Sequence, residues 1–70
     1  MKENKKKIVE SFTPVIRQTR AGSDVARLEY CLKNGDEVVD VTFVNGMHTW
    51  CNVTGDSGAA MLRDIIKRLM

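Results

Sequence analysis

Between residues 25 and 53, apolar and polar side chains alternate in three runs separated by two Asn-Gly pairs. The runs are Val25–Leu32, Glu37–Val44 and Met47–Val53, and the breaks are Asn34-Gly35 and Asn45-Gly46. Alternation with a period of two marks strands that bury one side. Asn-Gly suits a type I′ turn, since both residues tolerate positive φ and the turn twists with its flanking strands. Three antiparallel strands joined by two-residue loops are therefore predicted. Upstream, Val15–Thr19 predicts a further strand. Pro14 would sit at its edge, because proline cannot donate to a ladder. Residues 8–13 fit either an extension of that strand or a short helical turn.

The C-terminal segment has a different period. Ala59, Leu62, Ile65, Ile66 and Leu69 recur at helical spacing, with Arg63, Asp64 and Lys67 opposite. Thr54, Asp56 and Ser57 are candidate N-caps. The expected fold is α+β, a four-stranded antiparallel β-meander with one C-terminal α-helix packed on one face (ββββα).

If both loops hold two residues, counting outward from them fixes the register. Leu28, Val41 and Trp50 then share a row, as do Ala26, Phe43 and His48, and Tyr30, Val39 and Asn52. This mostly apolar side would lie beneath the helix, and a one-residue slip would invert every side chain. The opposite side would carry Val25, Val44 and Met47, then Arg27, Thr42 and Thr49, then Glu29, Asp40 and Cys51, then Cys31, Val38 and Val53. Its mixture of polar and apolar rows suggests a contact surface built from Val25, Arg27, Glu29, Val38, Asp40, Thr42, Val44, Met47 and Thr49.

Length and composition narrow the class. Seventy residues, 43% hydrophobic and 29% charged, make one small globular domain. A chain of this size buries only about 60% of its unfolded surface, so self-association is a common supplement. The expected organisation is a basic flexible tail over residues 1–7, with Lys2, Lys5, Lys6 and Lys7, followed by one domain over residues 8–70. No apolar run approaches the ~20 residues needed to span a bilayer. With no secretory pattern, a cytoplasmic location and free thiols at Cys31 and Cys51 are expected. In the predicted register the two thiols share a face but lie ~10 Å apart, beyond disulfide reach.

Candidate chemistry is sparse. Gly55-Asp56-Ser57-Gly58 reproduces the string around the nucleophile of chymotrypsin-like serine proteases. Those enzymes need two barrels and a positioned His and Asp; capping of the helix accounts for the same residues here. Phosphate binding at that helix start lacks a P-loop pattern and meets Asp56. His48, Cys31 and Cys51 show no metal-ligand spacing, so no metal is expected, and no cofactor motif is present. Glu29 and Asp40 are directly opposed, but on an open face nothing separates their pKa values for acid–base work. Trp50 and Tyr30 are expected in the core.

The order of four strands and a helix is similar to that of single-stranded-DNA-binding transcriptional cofactors, which implies dimerisation and a nucleic-acid-binding sheet. The residues by themselves lead to a non-enzymatic binding module, homodimeric, that uses its open sheet face to bind a protein. The alternative is a nucleic-acid-binding accessory protein contacting phosphates through Lys5, Lys6, Lys7, Arg17, Arg20 and Arg27. A net charge of only +2, with Glu29 and Asp40 central to the face, favours a protein partner.

Overall fold

The computed structural model describes residues 2–70, with side chains from Asn4 onward. The elements run α1 (Lys2–Ser11), α2 (Thr13–Arg17), β1 (Val25–Lys33), β2 (Asp36–Phe43), β3 (His48–Asn52) and α3 (Gly58–Leu69). The strands form one antiparallel sheet in the order β1-β2-β3, and helices pack on one side of it. The fold is α+β, but the expected four-stranded meander with a single helix is corrected to three strands with helices at both ends of the chain. With the fourth strand gone, the similarity to the DNA-binding cofactors lapses.

The expected first strand is helical for a reason visible in the spacing. Val9, Phe12 and Ile16 fall three and four residues apart, and Val9 and Ile16 are fully buried with Phe12 packed against them. Pro14 sits in the first turn of α2, where a helix needs no donor from it. The Ile16 amide bonds back to the Phe12 carbonyl at 2.8 Å, carrying the chain from α1 into α2. Gly22 closes the return to β1. A side chain there would overlap Ile16, whose carbonyl oxygen lies 2.6 Å from where a Cβ would stand.

Residues 2–7, expected as a tail outside the domain, lie within α1, and Met1 falls outside the described residues. Lys5 is fixed to the sheet, its ammonium 2.8 and 3.1 Å from the two carboxylate oxygens of Glu37. The Tyr30 hydroxyl donates to Glu37 Oε1 at 2.8 Å, so one carboxylate joins α1, β1 and β2.

α3 begins at Ser57, whose Oγ accepts from the Ala60 amide at 3.1 Å. It buries Met61 and Ile65 completely, each burial contributing about 1.5–3 kcal/mol. Leu62, Ile66 and Leu69 flank them, whereas Ala59 is exposed. Asp64 turns back to accept from the Thr54 and Gly55 amides at 3.1 and 3.3 Å, fixing the loop that leads into the helix. Among the described residues, no helix is long and apolar enough to cross a membrane.

Candidate functional site

The two Asn-Gly pairs make different loops. Asn34 and Gly35 both have positive φ (52° and 84°) and form the expected two-residue turn, with Lys33 paired to Asp36. In the second loop only Gly46 has positive φ, at 91°. The Gly46 amide bonds to the Phe43 carbonyl at 2.9 Å and the Phe43 amide to the Met47 carbonyl at 2.8 Å. Val44 and Asn45 are thus the centre of a type I turn, and Gly46 is the left-handed bulge residue that completes a three-residue loop. The Asn45 side chain supports it by accepting from the Met47 amide at 3.0 Å.

That additional loop residue shifts β3 by one position. Val39 pairs with Cys51, Asp40 with Trp50, Val41 with Thr49 and Thr42 with His48. The β1–β2 pairs follow expectation from Arg27↔Thr42 to Lys33↔Asp36, before a bulge brings Val25 opposite Phe43. Beneath the helices lie Leu28, Tyr30, Val39, Val41, Cys51 and Val53. The two-residue loop would instead have buried His48 and Asn52, polar groups that need partners in a core. Cys51 and Val53 place no such demand.

The uncovered side consequently differs from the expected one. Arg27, Glu29, Val38, Asp40 and Thr42 lie on it as expected. Val25 is corrected to a fully buried core position, because the bulge at Ala26 turns it inward. Thr49 faces the helices, and Val44 and Met47 stand at the loop tip, 65% and 66% exposed. His48, Trp50 and Asn52 take the vacated places, with Cys31 and Lys33 from β1. Cys31 and Cys51 are therefore on opposite faces, both as free thiols. A two-residue loop at Asn45-Gly46 would place Trp50 in the core. The type I turn with a left-handed glycine also accepts Asn-Gly, and that second possibility was the available signal.

Trp50 is 38% exposed. Three groups arrange around it. The Lys33 ammonium lies 3.7 Å from the ring centroid. The His48 ring meets it edge-on, with centroids 6.1 Å apart. Asp40 is directly opposite on β2, and Glu29 is opposite Asp40 on β1. From the backbone side, Arg68 of α3 donates through Nε to the Trp50 carbonyl and through Nη2 to Thr49 Oγ1, both at 3.0 Å. This occupies the outer edge of β3, a common way of blocking strand addition.

Electrostatics on this face are unbalanced. Glu29 bonds Arg27 at 3.2 Å, an exposed pair of little net worth. Asp40 Oδ1 is shielded from solvent and accepts no hydrogen bond among the described residues. His48 Nδ1 is 3.4 Å from that same oxygen. Asp36, Asp40 and Glu29 stand against Lys33 and Arg27, so carboxylates outnumber permanent cations. Val38 is only 5% exposed although it points away from the helices.

The remaining basic residues do not converge. Lys5 is engaged with Glu37, Lys6 and Lys7 are exposed on α1, Arg17 ends α2, Arg20 lies in the following turn, and Arg27 is on the uncovered sheet face. On the helical side, the Lys5 and Tyr30 hydrogen bonds hold the Glu37 carboxyl below its usual range. The same carboxylate raises Lys5, while burial and then the Glu37 bond raise Tyr30. Burial, reinforced by Asp64, pushes the Cys51 thiol up. No concave pocket forms on the described residues. No protein-family model matches the chain, and neither do any curated protein or solved structure.

Proposed function

We propose that this chain is a non-enzymatic binding module that engages a protein partner through the uncovered face of its sheet, with Trp50 as the anchor. The observation that carries the proposal is a partly exposed tryptophan beside opposed carboxylates on a face that no element covers among the described residues. Tryptophan dominates protein interfaces because its large ring excludes water from the polar contacts around it. The excess of carboxylates favours a protein over a polyanion. A photo-crosslinking residue placed at Thr42, on that face, should give protein adducts in a lysate of the source cells. One at Glu10, on the helical layer, should not. Adducts from position 10 alone, or from neither, overturn the proposal.

Homodimerisation belongs to the same proposal. With Arg68 bonded to the Trp50 carbonyl on the edge of β3, the nine-residue β1, the other edge strand, would pair with a second copy, which leaves both Trp50 faces free. Sedimentation equilibrium at tens of micromolar reads it, in the range of weak homodimers (about micromolar Kd). A monomer removes the dimer and leaves the face untouched.

A second reading gains one observation: Trp50 is exposed where a base could stack. Lys5, Lys6, Lys7, Arg17, Arg20 and Arg27 would then contact phosphates. A gel shift on single-stranded oligonucleotides at low salt tests it, with affinity falling steeply as salt rises. Absence of a shift removes it.

A further inference from the structure

We infer that the uncovered face recognises an arginine of its partner, seated on the Trp50 ring with the guanidinium edge turned to Asp40 and Glu29; this rests on the protein-binding reading above. Glu29, Asp40 and Trp50 form one row across the sheet. Directly opposed side chains on neighbouring strands are roughly 5 Å apart. Asp40 is thus one strand spacing from the indole and Glu29 two, roughly 10 Å. A planar cation on the ring turns its edge to Asp40 directly and meets Glu29 only through the longer reach of that side chain.

The ring already attracts a cation from within the chain. Lys33 belongs to β1, yet its ammonium crosses β2 to stand 3.7 Å from the Trp50 centroid. Among the described residues no carboxylate comes within 4.0 Å of that ammonium, so the ring has a cation while the carboxylates beside it are served elsewhere or poorly. Glu29 has only its exposed neighbour Arg27, and the shielded Asp40 oxygen accepts no hydrogen bond among the described residues, with only the His48 Nδ1 3.4 Å away. A lysine ammonium cannot lie flat on an indole and bond two carboxylates edgewise. A guanidinium can, since its face stacks while its five donors point outward in the plane. Lys33 is then a partial substitute that the partner's arginine displaces. Three carboxylates against two lysine or arginine side chains give the face the sign such a ligand needs.

The probe is a short Gly/Ser peptide carrying two arginines, titrated into the full chain while Trp50 fluorescence and the indole N–H resonance are followed. Counterparts with citrulline and with lysine replace the guanidinium by a neutral isostere and by an ammonium. The arginine peptide should give a saturable shift and the citrulline peptide none, with the lysine peptide at least about threefold weaker. Lys33→Gln should tighten arginine-peptide binding about threefold by freeing the ring. Asp40→Asn should weaken it about tenfold, and Glu29→Gln repeats the test should the first variant fold poorly. Equal binding of arginine and citrulline peptides overturns the inference, as does indifference to all three substitutions. So does no binding at millimolar peptide. In each of these cases adducts from a crosslinker at Thr42 would still uphold the broader reading, and only their loss would remove it.

Discussion

Replacing Asn34 and Asn45 in turn by the L and the D form of alanine reads the handedness of each loop independently of side-chain contacts. Both forms delete the same asparagine, so the hydrogen bond from the Met47 amide to Asn45 is lost equally in each and cancels. What remains is backbone preference. An L residue in the left-handed region is disfavoured by about 1–2 kcal/mol, and a D residue has the mirror-image preference. Asn34 has φ of 52°, so D-alanine should be more stable than L-alanine there by about 1–2 kcal/mol. Asn45 is not among the positive-φ residues, so the order should reverse by a similar amount. The two sites together separate by about 2–4 kcal/mol, against a total stability of about 4–10 kcal/mol for a chain of this length. With a urea slope of about 1 kcal/mol/M, each site should shift the midpoint by about 1–2 M, in opposite directions. The chain is short enough for synthesis by ligation at Cys31 or Cys51. Greater stability of the D form at both positions would mean two identical two-residue loops. Trp50 would then return to the covered face and the proposed site would disappear.

Other expectations follow from the same structure. A thiol reagent should label Cys31 quickly and Cys51 only on unfolding, because Cys51 is buried and its thiol is pushed up; two fast thiols would place β3 the other way round. Glu37 has a lowered folded-state pKa, so its contribution to stability is present above the ordinary carboxylate range and lost as pH falls through the lowered value. Urea unfolding followed against pH should show that acid loss, and Glu37→Gln should flatten it. Ile16→Ala should cost about 2–5 kcal/mol and Val15→Ala less than about 0.5, since the first is fully buried and the second half exposed; equal losses in chemical denaturation would contradict α2. Gly22→Ala should cost about 1–3 kcal/mol by driving a methyl into Ile16, and an unchanged melting temperature would show that the turn yields.

Where one structural solution satisfied the local pattern, the sequence was legible. The β1–β2 hairpin has the loop and register expected from Asn34-Gly35 because only a two-residue turn uses both positive-φ residues there. α3 follows its apolar period, although Met61, not Ala59, completes the buried face. Where two solutions fit, local pattern was not enough. Asn45-Gly46 serves a two-residue or a three-residue loop, and the choice falls to packing, which prefers Cys51 and Val53 under the helices to His48 and Asn52. Val15–Thr19 alternates over too few residues to exclude a helix, and Pro14 suits a first helical turn as well as a strand edge. The candidate face inherited both outcomes. Five of its nine expected residues are on it, while its central aromatic was expected on the opposite side.

Acrylamide quenching of the intrinsic fluorescence is the most direct probe, because Trp50 is the one tryptophan in the chain. An indole on the uncovered face should emit to the red and be quenched readily by acrylamide in the native protein, with protection appearing when the arginine peptide binds. Blue-shifted emission that resists quenching until the chain unfolds would place the ring beneath the helices, and the proposed partner surface would lose its anchor.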